Sequence, residues 1–222
     1  IYAATRLVVQ AQGYTDAYVR PVAWRGSEMM GVSAQQNTIH VAIACWEWPS
    51  YFSPEARMAG IKLQTSKWAR PAPNTAPTSS KAAGLYMICT MSKHAAENEG
   101  FHDALMLDYR GRVAEATGAN FFMAVDGKLH TPTPDCFLDG ITRRTVMRLA
   151  RNRQMKVVER TIRAEELPRA TEVFLAGTAA EVTPVRAIGE HSYTPGQITE
   201  TLLSDYEKLV RMPPEEVRRL AG

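Results

Sequence analysis

Cysteine is scarce in this chain. Its three residues, Cys45, Cys89 and Cys136, are far apart, with no CxxC pair and no zinc-ligand spacing, so a disulfide framework and a structural zinc site both lack support. The five histidines (His40, His94, His102, His130, His191) show no ligand-like spacing either. No glycine-rich dinucleotide fingerprint follows a strand, and there is no Walker A sequence, HExxH or GxSxG. Nucleotide-cradling, zinc-hydrolase and serine-nucleophile chemistry are thereby set aside. Long apolar runs of membrane-span length are missing too, and the first residues lack a signal-peptide pattern. The 26 basic and 23 acidic residues are interspersed, leaving a net charge of +3 and no basic stripe for nucleic acid. A reduced, cytoplasmic chain with neither nucleic-acid nor membrane partners is the expectation. No metal is expected.

What is present reads as two unequal parts in 222 residues, 45% of them hydrophobic and 22% charged. A short helix over 1–12 precedes two strand-like runs, Asp16 to Arg25 and Thr38 to Glu47. One helix and two strands do not complete a domain, so residues 1–48 read as the remnant of one. Ile1 already lies inside the helical pattern, and the natural start is expected upstream. The aromatic and proline-rich residues 49–56 read as an inter-domain linker, and 57–222 as a large domain. In that domain hairpins, including the turns Asp108-Tyr109-Arg110-Gly111 and Asp126-Gly127, mix with isolated helices. The pattern predicts an α+β fold.

Four constellations carry chemistry. Lys81 ends the proline-rich run Arg70 to Ser80 and precedes Ala82-Ala83-Gly84. Ser79 or Ser80 is expected to cap a helix over roughly Ser79 to Glu99, placing the ammonium group in its first turn, where the macrodipole lowers an amine's pKa. Small residues after it leave space for a flat group, as a Schiff-base lysine needs. Tyr86, five positions on, is expected near the same helix face. The bland alternative is an exposed lysine and a half-buried core tyrosine.

Glu115 stands among small and apolar residues, an arrangement that calls for a cationic partner such as a protonated pyridine nitrogen, unless it is a solvated hairpin glutamate. Two segments are candidate anion cradles. Leu138-Asp139-Gly140-Ile141-Thr142-Arg143 opens a helix, and Leu175-Ala176-Gly177-Thr178-Ala179-Ala180 turns after a strand. Either could be simply a cap or a turn. Tyr18 and Arg20 alternate on a strand and so share a face, suited to a carboxylate, although Pro21 also fits a polar sheet edge.

Taken together these residues resemble a known family. Glu115-x-Thr117-x-x-Asn120-Phe121-Phe122, Leu129-x-Thr131 and Leu138-x-Gly140-Ile141-x-Arg143 resemble the class IV aminotransferase signature in order and spacing. The Arg70-to-Lys81 run, Tyr18-x-Arg20-Pro21 and the Ala176-to-Val185 segment resemble branched-chain amino acid aminotransferases in particular. The resemblance implies the fold type IV large domain of pyridoxal 5'-phosphate enzymes, preceded by the C-terminal part of a small α/β N-terminal domain. It implies that Lys81 carries the cofactor and moves the proton, that Glu115 faces the ring nitrogen, and that Tyr86 bonds the ring oxygen. Ile141, Thr142 and Thr178 are implied to hold the phosphate, while Tyr18, Arg20, Thr178 and Ala179 recognise substrate.

The activity implied is transamination between leucine, isoleucine or valine and 2-oxoglutarate. The implied partners are these small molecules and further copies of the chain, as a homodimer or a higher homo-oligomer. Family members also carry an N-terminal region before the first residues here, and without it weak turnover is expected. Three alternatives stay open. A D-amino acid or (R)-amine transaminase shares the signature. A 4-amino-4-deoxychorismate lyase uses the same cofactor for elimination, and a truncated cofactor-binding or assembly module would lack turnover.

Overall fold

The structure, a computed structural model, describes residues 1–48, 58–213 and 215–216. The expected linker, 49–56, lies outside the described residues. The chain divides into two compact units, Ile1–Tyr51 and Phe52–Gly222.

In the first unit, helix α1 (Tyr2–Ala11) precedes the antiparallel strands β1 (Tyr18–Arg25) and β2 (Ile39–Trp46), paired from Tyr18↔Trp46 to Arg25↔Ile39. The Cys45 thiol lies 3.9 Å from the Val8 carbonyl and marks the sheet face that the helix packs on.

The second unit is built on a nine-stranded sheet. Its strands are β3 (Ile61–Thr65), β4 (Asp103–Leu107), β5 (Val113–Ala116), β6 (Asn120–Val125), β7 (Lys128–Pro132), β8 (Val157–Arg160), β9 (Glu172–Gly177), β10 (Glu181–Ile188) and β11 (His191–Ser192). Because β9 pairs with both β10 and β6, the strands β10-β3-β4-β5-β6-β9 close into a ring. Closure gives each of these six strands a neighbour on both sides, while β7–β8 and β11 branch from the ring. The hairpin turns form as expected: Asp126 and Gly127 both take positive φ (49° and 69°), and the Gly111 amide donates to the Asp108 carbonyl.

The period of two along the strands sorts side chains between two cores. Phe121, Met123, Val173, Leu175 and Val185 point into the ring and pack with Leu63 and Leu105. Phe122, Phe174, Ala176 and Val182 point outward, with Phe122 stacked on Phe174 at 4.9 Å. Helices α3 (Ile141–Asn152) and α4 (Gln197–Val210) cover that outer face through Val146, Met147, Ala150, Leu202 and Tyr206. Helix α2 (Tyr86–Asn98) packs against β4 and buries Cys89, Ser92 and Ala96.

One carboxylate fastens α4. Glu172, at the start of β9, accepts hydrogen bonds from the Ile198 amide (3.2 Å), the Thr199 amide (2.8 Å) and the Thr199 hydroxyl (2.7 Å). A strand residue thus caps a helix whose own N-cap, Gly196, has no side chain to do so. Glu172→Ala is expected to cost about 2–3 kcal/mol, because it leaves buried donors unpaired. Urea denaturation measures this, and an unchanged midpoint would show that the cap carries no stability.

Candidate active site

Lys81 does not sit in the first turn of a helix. It lies in an extended link, followed by a 3-10 turn at Ala83–Leu85 and then α2 from Tyr86. The reason is local. The Ser80 hydroxyl and amide both bond back to the Pro77 carbonyl (2.7 and 3.0 Å), closing a turn instead of capping forward. The helix-dipole argument for this lysine therefore falls. The pairing with Tyr86 survives by another route: Lys81 Nζ lies 5.7 Å from the centroid of the Tyr86 ring. Both residues are exposed.

Glu115 is in the middle of β5, its side chain only 12% exposed. Burial pushes its carboxyl up to about 8, even though the Arg70 and Lys81 charges pull the other way. Arg70, itself buried, approaches Glu115 Oε1 with Nε at 3.4 Å. The same guanidinium donates to the Cys136 carbonyl (3.3 Å) and the Cys89 sulfur (3.4 Å). One arginine thus ties the segment that leads to Lys81, helix α2, strand β5 and the loop before α3. Thr78, in the same segment, adds a bond from its hydroxyl to the Asp135 carbonyl (3.0 Å).

Asn120 organises the opposite side. It pairs with Glu115 in the β5–β6 register and with Ala176 in β6–β9, so the three lie in one row across the sheet. Its amide nitrogen donates to Glu115 Oε2 (3.1 Å) and to the Leu138 carbonyl (3.0 Å). A side chain at Gly140 would overlap Asn120 Oδ1, so glycine is required there. The amides of Ile141 and Thr142 begin α3 with no side-chain cap and no acidic residue in the first turn. These are the unpaired N–H groups of an anion-binding helix start.

The Thr178–Ala180 turn joins β9 to β10. A Cβ at Gly177 would lie 3.2 Å from both the Ala119 methyl and the Gly118 carbonyl, so this turn rests on the β5–β6 hairpin. Both candidate cradles therefore meet the hairpin that carries Glu115. Thr178 is exposed and Ile141 is 77% exposed, whereas the Thr142 side chain turns inward toward the Tyr206 hydroxyl at 3.4 Å. Thr142 thus offers its amide, not its hydroxyl.

Tyr18 and Arg20 belong to the first unit. Arg20 Nη2 donates to the Tyr18 hydroxyl at 3.0 Å, and the guanidinium stands 5.1 Å from the Tyr18 ring and 5.5 Å from the Trp46 ring. Trp48 lies 4.8 Å from Tyr18 and completes an aromatic cluster.

Sequence reasoning gave no individual role to Arg70 or Asn120, which stood only within the resemblance motifs, or to Trp46 and Trp48. Arg70 was readable only as the start of a proline-rich run. An asparagine opening the apolar stretch Phe121-Phe122-Met123-Ala124-Val125 was the available signal for Asn120, since a buried amide needs partners on two sides. Burial pushes the Cys89 and Cys136 thiols up, Cys136 to about 12, which disfavours the nucleophilic thiolate at both.

A buried carboxyl held up by desolvation, an accessible lysine within its electrostatic reach and uncapped helix amides fit a flat, phosphate-bearing cofactor with a protonated ring nitrogen. The fold and this site define a transaminase of the pyridoxal-phosphate type. The sequence matches the amino-transferase class IV family over residues 1–188, and the chain belongs to that family. It is 40% identical over 210 residues to the branched-chain-amino-acid aminotransferase of Pseudomonas aeruginosa, covering 93% of this chain and 68% of that protein. Its structure is similar to the branched-chain aminotransferase of Thermoproteus uzoniensis with norvaline. That match has a TM-score of 0.90, 32% identity, and coverage of 97% of this chain and 72% of the other. It is also similar to the Thermobaculum terrenum branched-chain amino acid aminotransferase in its PLP-form (TM-score 0.87, 31% identity, 98% and 72% coverage).

Proposed function

We propose that this chain transfers the amino group of leucine, isoleucine or valine to 2-oxoglutarate, using pyridoxal 5'-phosphate. The observation that carries the reading is the Glu115–Asn120 pair, set between Arg70 and the two anion cradles, with the Lys81 charge acting on the same carboxylate. The names of the similar proteins supply the substrate class.

When bound, the cofactor supplies an aldehyde that takes up the amino group and a ring that accepts the electron pair left at Cα. Every other task falls to the chain. Lys81 Nζ holds the cofactor and moves the proton to and from substrate Cα. Glu115, ionised by the cation set against it, keeps the ring nitrogen protonated, and Tyr86 donates to the ring oxygen. The Ile141 and Thr142 amides and the Thr178 hydroxyl hold the phosphate. In the second unit the Thr178–Ala179 turn is assigned to substrate recognition, and in the first unit Tyr18 and Arg20 are separately assigned to carboxylates.

The same reading includes a homodimer and a cytoplasmic location. The exposed Val22, Trp24, Ile39 and Val41 of the β1–β2 hairpin support the first, and three free cysteines support the second. No helix among the described residues is long and apolar enough to cross a membrane. In an assay with 2-oxoglutarate as acceptor, glutamate is expected to form fastest from L-leucine, L-isoleucine and L-valine. Preference for D-alanine or an (R)-amine, or pyruvate release from 4-amino-4-deoxychorismate, would overturn the assignment.

A further inference from the structure

Among the described residues Arg143 is the largest fully buried side chain, 1% exposed, yet it is a cation in the first turn of α3. The helix dipole disfavours positive charge there, and burying a guanidinium is costly unless every donor is met. Its donors are met. Nε reaches Thr131 Oγ1 (3.3 Å), Nη1 reaches Asp139 Oδ1 (2.8 Å), and Nη2 reaches the Pro132 carbonyl (2.9 Å) and Glu159 Oε2 (2.5 Å).

These partners are not a random set. Thr131 and Pro132 end β7, Glu159 is the β8 residue paired with Thr131, and Asp139 lies two residues before the helix. Thr131 passes its own hydroxyl proton to the Phe121 carbonyl (2.8 Å), next to Asn120 on β6. The Leu138-Asp139-Gly140 loop is therefore gripped twice, by Asn120 at the Leu138 carbonyl and by Arg143 at the Asp139 carboxylate. Directly after the two grips the chain enters α3 through Gly140, which is extended (φ −62°, ψ 144°).

Two carboxylates already oppose the Arg143 charge, so it is poorly placed to serve as counter-charge for a further anion. What it fixes is direction. We propose that Arg143 is a positioning residue that aims the Ile141 and Thr142 amides at a phosphate monoester. This rests on the reading that the start of α3 is the phosphate cradle. A lysine at the same place keeps the charge but cannot fork to four acceptors at once.

The test titrates pyridoxine 5'-phosphate and pyridoxine into the cofactor-free full chain. Both lack the aldehyde, so no covalent bond to lysine contributes. The ratio of their affinities isolates the phosphate, while a general loss of structure weakens both ligands alike. Arg143→Lys is expected to lower that ratio about tenfold, with pyridoxine itself changing less than about twofold. Asp139→Ala removes one grip at a half-exposed position while Glu159 still opposes the Arg143 charge, and a melting curve checks that the variant is folded. The substitution is expected to lower the ratio about threefold.

Equal weakening of both ligands in the two variants, or an unchanged ratio in both, would overturn the proposal while leaving the cradle in place. Should Arg143→Lys fail to fold, Asp139→Ala decides alone. A wild-type chain that binds the two ligands equally well would remove the cradle reading and this proposal together.

Discussion

Lys81→Ala is expected to lower amino transfer by at least roughly 10³-fold, within the range of about 10²–10⁴ that a positioned acid–base group supplies, with the loss of the covalent attachment in addition. Lys81 is exposed and lies outside any helix or strand, so stability should stay within about 0.5 kcal/mol of wild type. The phosphate contacts assigned to Ile141, Thr142 and Thr178 lie on other elements, so pyridoxine 5'-phosphate should bind as before. Lys81→Arg should not rescue, because a guanidinium stays protonated and cannot serve as the base. The measurement is glutamate formation from 2-oxoglutarate with leucine as donor. Borohydride reduction of the cofactor-loaded wild-type chain, followed by peptide mapping, should place the label on Lys81. A variant that transaminates at the wild-type rate, or a label on another lysine, would end the assignment.

Glu115→Gln should reduce turnover by about 10²–10³-fold, the loss typical when one preorganised electrostatic group is removed from a site. Glutamine keeps the shape and the Asn120 contact but cannot balance a protonated ring nitrogen. Its effect on cofactor retention should be smaller than its effect on rate. Stability offers a second readout, with a definite sign. Burial raises Glu115 to about 8 in the cofactor-free chain, against an unfolded value of about 4.3–4.5.

Between those values the folded chain keeps a proton that the unfolded chain has released. The contribution of Glu115 to stability is therefore fully present below about pH 4.5 and is lost as pH rises toward 8. Glutamine has no proton to release. The variant should gain on wild type in thermal stability as pH goes from 5 to 9, most of it by pH 8. Parallel melting-temperature profiles for the two proteins would show that this carboxyl is not held in its neutral form by burial.

Most of the strand and helix pattern was legible because period and turn chemistry are local. The short first helix, expected over 1–12, forms as Tyr2–Ala11, and the strand runs expected at Asp16 to Arg25 and Thr38 to Glu47 form as Tyr18–Arg25 and Ile39–Trp46. The Asp126-Gly127 turn declared itself through two residues that tolerate positive φ. The start of α2 did not. Ser79 and Ser80 have the composition of a cap, but the prolines before them fold the chain back so that the Ser80 hydroxyl is spent on Pro77. Whether a serine caps forward or closes a turn behind depends on the backbone around it, which composition does not encode.

The site divides along the same line. Glu115, the two cradle segments and Lys81 could be named from the sequence, since each stands in a local context with a chemical purpose. Their convergence could not. It depends on β9 pairing with both β6 and β10, which closes the ring and sets Ala176 beside Asn120. It also depends on Arg70 reaching a carboxylate 45 positions away.

By itself, then, the sequence determined the family, the order of elements and the identity of the reactive groups, because signature spacing and side-chain chemistry travel with the chain. The tertiary structure alone decided which neighbour each group acquires: that Lys81 stands outside its helix, that the Thr142 hydroxyl turns toward Tyr206, and that Arg143 is buried behind the cradle. Those outcomes follow from long-range strand pairing and from the need of buried polar groups to find partners, and no local window of residues contains them.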